Sequence, residues 1–308
     1  MVVEERIERF LAALGRDRGF SPNTVSAYRN DLSQFCHFLC EQHVLQSWAE
    51  LTGTILTNYV LYLRERGYAN ATVARKVAAV KSFCHYLVEC GELRHDPAAE
   101  LPSPKVDKFI PRAITPEQVE ALLAQPARER TPEALRDKAM LETLYASGMR
   151  VSELTALNVD DLDLEAGRVR CGNKPERQRW VPLSSSAIAA LDEYLQLGRP
   201  FLRQSPAEQA LFLNHRGSRL TRQGFWLILK SYAEAAELGD ITPHTLRHTF
   251  AAHALTRGRA LREVQQVLGH VSISTTQVYQ QVAAQVGRAN GHALVSTVAA
   301  CYDNDGSE

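Results

Sequence analysis

The 308-residue chain has no long apolar run. Nothing approaches the roughly 18–20 uninterrupted apolar residues that a bilayer span needs, so a membrane partner is not expected. Met1-Val2-Val3-Glu4-Glu5-Arg6 lacks the apolar core of a secretory peptide. The six cysteines (Cys36, Cys40, Cys84, Cys90, Cys171 and Cys301) are scattered. Free thiols in a reducing cytoplasm are the expectation. Cys36, Cys40 and His43 share a helical face, with His37 beside them. The same stretch carries Phe35, Phe38 and Leu39, and thiols are often buried simply as small hydrophobes. A core stripe is the better reading, and no metal or other cofactor is expected. Carboxylates cluster densely only at Asp160, Asp161 and Asp163, with no histidine beside them. A metal-dependent nuclease would need more ligands than that. A charge excess is missing too: 35 basic side chains face 35 acidic ones. That balance argues against binding nucleic acid through bulk charge. Wholesale disorder is excluded, because 45% of the chain is hydrophobic and 23% charged, ordinary globular usage.

Length and patterning give two domains. Residues 1–100 read as a helical bundle. Ile7, Phe10, Leu11 and Leu14 recur at helical spacing, as do Val25, Tyr28, Leu32 and Phe35. Ser21-Pro22 looks like an N-cap with proline at the first helical position. Further helices over 56–66 and 72–90 end at Gly67 and Gly91. Residues 101–113 hold clustered prolines and no apolar period, as a linker does. A second domain, 114–286, opens on Thr115-Pro116-Glu117-Gln118, a capping-box pattern. The helix over 136–146 stops at Gly148. Short strand signals at 162–164, 169–171 and 180–183 predict a small antiparallel sheet. From Ser185 onward the pattern is mostly helical, and 287–308 forms a tail. The expected class is therefore mostly α: an N-terminal helical bundle plus an α+β domain.

Resolved by position, the charge is not even. Residues 1–100 carry 11 basic and 12 acidic side chains. The second domain holds three arginine-rich stretches: 168–179, 199–230 and 244–262. Guanidinium forks match phosphate oxygens, so these stretches suggest a polyanion partner. The neutral first domain would have to grip such a partner through a few residues, such as Arg75, Lys76 and Lys81.

Within the last stretch, Pro243-His244-Thr245-Leu246-Arg247-His248 opens a helix. His244 and Arg247 share a face near its positive end, a good place to hold a phosphate. Arg150 follows the helix stop at Gly148-Met149. Leu268-Gly269-His270 marks another helix end, and Tyr279 follows. Two arginines, two histidines and a tyrosine thus stand at turns and helix ends.

These blocks resemble the tyrosine site-specific recombinases of the Xer type. The likeness runs from Ser21-x-x-Thr24-x-x-x-Tyr28-x-x-Asp31-Leu32, through Gly148-Met149-Arg150-Val151-Ser152-Glu153-Leu154 and His244-x-x-Arg247-His248, to Leu268-Gly269-His270 and Tyr279. Four motifs in the family's order cover nearly the whole chain. The resemblance implies a first domain that binds DNA and a catalytic second domain. Tyr279 would attack a phosphodiester, and Arg150 and Arg247 would clamp its oxygens. His244 and His270 would bond the phosphate and assist proton movement. Lys174, on a hairpin turn, would protonate the leaving oxygen. Pro175 follows Lys174 where the family usually has glycine, Gln281 replaces a usual histidine, and the tail shows no clear match. The resemblance further implies a double-stranded DNA site, a homo-oligomer or a hetero-tetramer with a related recombinase, a role in resolving chromosome dimers at cell division, and a DNA translocase as a further partner. Alternatives are a mobile-element integrase or transposase with the same chemistry, a type IB topoisomerase, and a non-catalytic helix-turn-helix regulator.

Overall fold

The structure is a computed structural model that describes residues 2–16, 19–42, 45, 47–102, 111–172 and 178–284. Two compact units divide the chain, Met1–Lys108 and Phe109–Glu308. The class read from the sequence holds: mostly α, with one small antiparallel sheet. Among the described residues no helix is long and apolar enough to cross a membrane.

The first unit is a bundle of four main helices: α1 (Val2–Arg16), α2 (Pro22–Gln42), α3 (Gly53–Glu65) and α4 (Asn70–Glu89). Each buries one apolar stripe, as its helical period requires. Phe10, Leu11 and Leu14 meet Leu32 and Phe35, then Leu56 and Tyr59, then Val77, Val80 and Phe83. Phe35 and Tyr59 meet edge to face at 4.9 Å, and so do Trp48 and Phe83. Full burial of each such side chain contributes about 1.5–3 kcal/mol. Ser21 begins α2 as expected, its Oγ accepting from the Thr24 N–H at 3.1 Å. Cys84 is buried, and burial pushes its thiol up to about 12. His37 Nε2 lies 3.1 Å from Glu41, and His43 falls outside the described residues. Among those residues no group of three or more His, Cys, Asp or Glu could hold a metal.

One expectation for this unit fails. Lys76 does not present a free cation: its side chain is 9% exposed, and its ammonium donates to Asp31 Oδ1 at 3.0 Å. Arg75 donates to the other oxygen of the same buried carboxylate. A buried carboxylate needs partners, because desolvation of an unpaired charge costs several kcal/mol. The Asp31 of the N-terminal motif thus consumes Lys76, whereas Arg75 stays about half exposed beside it.

In the second unit, α5 (Pro116–Ala124) starts on the expected capping box, with Thr115 and Gln118 bonded reciprocally. The helix α6 (Pro132–Ser147) is buried on nearly every side, so it shows little amphipathic pattern and forms the centre of the unit. After the short α7 (Val151–Leu154) come β1 (Leu162–Asp163), β2 (Arg168–Cys171) and β3 (Arg179–Pro182). They pair antiparallel in chain order, with Val169 opposite Val181. Helices α8 (Ser185–Glu193) and α9 (Arg199–Leu202) are joined by one π turn, Tyr194–Gly198. Then follow α10 (Arg222–Ala235), α11 (Pro243–Thr256) and α12 (Leu261–Leu268), and a helix at 274–284.

Many arginines of the basic stretches are committed inside this unit. Arg168 pairs with Asp163, and Arg170 with Asp161, at 2.9 and 2.8 Å. Arg199 is buried and donates to the Ala210 and Glu208 carbonyls. Arg219 donates to the Thr155 and Leu157 carbonyls and to Asn158. Only Arg can satisfy several converging carbonyls with one planar fork. The stretches therefore overstate the charge available to a partner.

Candidate active site

Three glycine-marked or proline-marked junctions converge in the second unit. The first is the end of α6. Gly148 caps it in the left-handed conformation, φ 58°. A Cβ there would also lie 2.2 Å from the Phe250 ring, so the position excludes every side chain. The chain then turns sharply and Arg150 becomes the N-cap of α7, its side chain 44% exposed. The second junction is the start of α11, where Thr242 caps and Pro243 occupies the first turn. It presents His244 at the surface and Arg247 and His248 one turn further in. The third is the end of α12. Gly269 sits at φ 64°, and a Cβ there would press on the Arg179 guanidinium at 3.0 Å. His270 follows at once.

Arg247 ties the three together. It is 4% exposed. Its guanidinium donates to the Gly148 carbonyl at 2.5 Å and to the Leu268 carbonyl at 2.7 Å. It also meets His270 Nε2 at 2.9 Å. Arginine has no acceptor, so that nitrogen carries the lone pair. The His270 proton is then on Nδ1 and is donated to the buried Thr276 Oγ1 at 3.0 Å. Burial, helped by Arg247, Arg150 and Arg179, pulls His270 down to about 4, which agrees with a neutral ring. Both its nitrogens are engaged in this conformation, with Arg247 and Thr276 as partners.

Tyr279, on the last helix, is 3% exposed. Its ring stacks on His270 with centroids 6.3 Å apart, and its hydroxyl bonds His248 Nδ1 at 2.8 Å. Burial raises the phenol above its ordinary value, while Arg247 and Arg150 pull it back. Burial likewise draws Arg247 down to about 10, and Arg150 adds to the shift. Arg247 stays charged at neutral pH, and Arg150 presses on it beside one phenol. An oxyanion arriving between them would relieve that repulsion, the preorganised electrostatics that phosphoryl transfer needs.

A further layer braces Arg150. Glu153 accepts from the Arg150 backbone N–H at 2.7 Å and from Arg179 at 2.9 and 3.3 Å. Burial alone would raise Glu153. The Arg179 and backbone hydrogen bonds outweigh it and hold the carboxyl below its usual range. Arg179 also donates to the Val267 carbonyl at 2.6 Å, joining β3 to the end of α12.

Of the residues singled out in the sequence, Arg150, His244, Arg247, His270 and Tyr279 come together here. Lys174 lies outside the described residues, as does the tail after 284. His248, Glu153, Arg179 and Thr276 were given no role. Glu153 had a local signal, three residues after Arg150 and inside the same motif. His248 stood inside the His244-x-x-Arg247-His248 block, but its partner Tyr279 lies 31 residues away on the last helix; Thr276 had no signal of its own.

A family model described as "Phage integrase family" matches residues 112–286, and one described as "Phage integrase, N-terminal SAM-like domain" matches residues 7–91. A protein of Roseiflexus sp. (strain RS-1), "Tyrosine recombinase XerC", is 54% identical over 91% of this chain and 90% of its own. The chain belongs to the Xer-type tyrosine recombinases of the phage integrase family. It is an enzyme of the DNA strand-transferase class. A "Tyrosine recombinase XerD" of Halalkalibacterium halodurans is 42% identical over 91% of this chain and 94% of that one. In fold, the chain also matches the solved XerH site-specific recombinase bound to a palindromic difH substrate. There the TM-score is 0.74 and the identity 20%, over 93% of this chain and 84% of the other.

Proposed function

We propose that this Xer-type recombinase cuts and rejoins DNA through a 3′-phosphotyrosyl intermediate on Tyr279. The observation that carries the reading is the buried phenol within the field of two guanidinium groups, Arg150 and Arg247. The tyrosine oxygen attacks phosphorus, the bond to the 5′ oxygen breaks, and the two arginines hold the charge on the non-bridging oxygens. His244, exposed at the positive end of α11, bonds the phosphate. His270 steadies Arg247 and reaches the phosphate only by giving up one of its present partners. Lys174 protonates the departing 5′ oxygen. The covalent link conserves the phosphodiester energy, so rejoining requires neither ATP nor a metal.

The biological reading is resolution of chromosome dimers before cell division, in the cytoplasm, at a short duplex site. Relatives named XerC and XerD at 42–54% identity support it over a mobile-element role. Likeness to a transposon integrase stands at only 19% identity. Four protomers, either identical or paired with a related recombinase, would exchange strands in turn, and a DNA translocase would bring the sites together. The proposed division is a DNA-binding unit over 1–100, a linker over 101–113, a catalytic unit over 114–286 and a tail over 287–308.

The test uses a nicked duplex, selected from random DNA for tight binding by the full chain, in EDTA. Covalent protein–DNA adducts that disappear in Tyr279→Phe are expected. Adducts that persist in that variant, or cleavage that requires a metal ion, would refute the reading. Lys174→Ala should slow cleavage by roughly 10²–10⁴, with recovery when the 5′ oxygen is replaced by a better leaving group. Absence of recovery would assign the acid elsewhere.

A further inference from the structure

Asp31, on α2, is 1% exposed and holds two cations of α4 in different ways. Lys76 turns inward. Its ammonium donates to Asp31 Oδ1 at 3.0 Å and lies 5.4 Å from the centre of the Tyr68 ring. Tyr68 is held in turn, its hydroxyl accepting from Gln34 Nε2 at 2.9 Å. Arg75 turns outward. Its Nη1 donates to Asp31 Oδ2, yet the side chain stays 51% exposed. Lys76 alone balances the charge of the buried carboxylate, so the three groups together keep one positive charge, at the surface. The bond from Arg75 fixes the direction of its fork. A free arginine gives up rotamer freedom when it docks on a partner, whereas a fork already tied at one nitrogen has given up much of it beforehand.

We propose that Arg75 reads a guanine in the major groove of the DNA site, and that Asp31 is the buttress that aims it. The inference rests on the reading above that the chain binds a short duplex site. With Nη1 tied to Asp31, the edge formed by Nε and Nη2 remains, and among the described residues it has no hydrogen-bond partner. That edge carries two parallel N–H donors. Guanine O6 and N7 are a matching pair of acceptors on the major-groove edge of the base.

A phosphate could take the same two donors, and the surroundings of Arg75 decide between them. Phosphate grips are built from clustered cations. Here the neighbouring cation, Lys76, is buried and spent on Asp31. The exposed positions one turn before and after Arg75 on α4 are Ala71 and Ala78. Their methyl groups add no charge and little bulk, so this face of the helix can approach base edges in a groove about 12 Å wide. Lys81 stands six residues further on, about 120° round the helix, where a strand backbone passes beside a helix seated in the groove. A fixed fork flanked by short side chains suits a base, whose position in the groove is exact. A phosphate contact gains little from such fixing, because a flexible cation can follow the backbone.

The experiment measures the affinity of the full chain for the selected duplex described above, over a range of salt. Each G·C pair is replaced in turn by A·T, which puts an amino donor where guanine has O6. With the parent, one replacement in each protomer's half-site should weaken binding by about 5- to 150-fold through Arg75, the worth of a bidentate pair. Arg75→Met should abolish the effect at that pair and at no other, with the salt dependence unchanged. Asp31→Asn, measured below its unfolding temperature, keeps the arginine and unties it, so discrimination at the same pair should fall while the other pairs keep theirs. Should that variant not fold, Asp31→Glu, which moves the carboxylate by one methylene, takes its place with the same expectation. The proposal is overturned if Arg75→Met leaves every pair as discriminating as before. It is also overturned if that variant weakens all sequences alike and lowers the salt slope by about one, the mark of a phosphate contact. Full discrimination in the folded Asp31 variant would remove the buttress. Failure of the full chain to select any duplex would refute the reading of a DNA site itself, whereas Tyr279-dependent adducts beside an indifferent Arg75→Met would refute only the guanine contact.

Discussion

Replacing Arg179 by methionine tests how the site is braced. Methionine has a similar reach and no charge. The change removes two bonds to Glu153 and one to the Val267 carbonyl. Glu153 is left as a carboxylate only 6% exposed, held by the Arg150 N–H and by a distant contact to its guanidinium at 3.8 Å. Removing one partner of a buried pair costs about 3–5 kcal/mol. For a unit of this size that lowers the midpoint of thermal unfolding by roughly 6–20 °C. The sign of the pH dependence carries the sharper expectation. In the parent, Glu153 titrates below its unfolded value. Its stabilisation is present above that unfolded value and is lost as pH falls through the folded one. Without Arg179, burial dominates and the carboxyl titrates above its unfolded value. The penalty then grows as pH rises from about 4.3, the ordinary Glu value, toward neutrality. Calorimetry on both proteins at several pH values between acid and neutral measures this. The double variant Arg179→Met with Glu153→Gln should regain much of the loss, since no buried charge remains. A fall of less than about 2 °C, where 1 kcal/mol gives 2–4 °C, or a penalty independent of pH, would refute the reasoning.

Three other outcomes follow from the same structure. Gly148→Ala should cost more than about 2 kcal/mol, since the left-handed conformation and the Phe250 contact both oppose a methyl, and it should slow cleavage because the Gly148 carbonyl anchors Arg247; thermal unfolding and adduct yield measure the two effects. Asp31→Asn should destabilise the first unit more than Arg75→Met does in urea melts, because Lys76 is 9% exposed and Arg75 is 51% exposed. Arg219→Met should lower stability yet leave the salt dependence of DNA binding unchanged, since this side chain is bound to carbonyls; a slope smaller by about one unit would mean that it reaches a phosphate after all.

What could be read from the chain alone was local. The capping box at Thr115, the helix stops at Gly148 and Gly269, and the cap at Ser21 all act within a few residues, so spacing reveals them. The apolar stripes of α1 to α4 are periodic and mark the bundle. The uses of charge were not legible in the same way. Lys76 looks like a surface cation until Asp31 is placed 45 residues away. Arg199 and Arg219 look like a basic patch until they meet backbone carbonyls from distant loops. The same holds for His248, whose partner is fixed only when the last helix docks on α11. The π turn at Tyr194–Gly198 left no pattern either, because the helix after it has only four residues, too few for a shift of apolar phase to show.

The three bonds of Arg247 have a consequence for safety. On the proposed mechanism, the cation that steadies the scissile phosphate also holds the ends of α6 and α12 and the ring of His270. A copy that loosens at any of these three points would misplace that clamp. Damaged or half-folded molecules then bind DNA without being armed to break it. An enzyme whose error would be a severed DNA strand fails in the harmless direction.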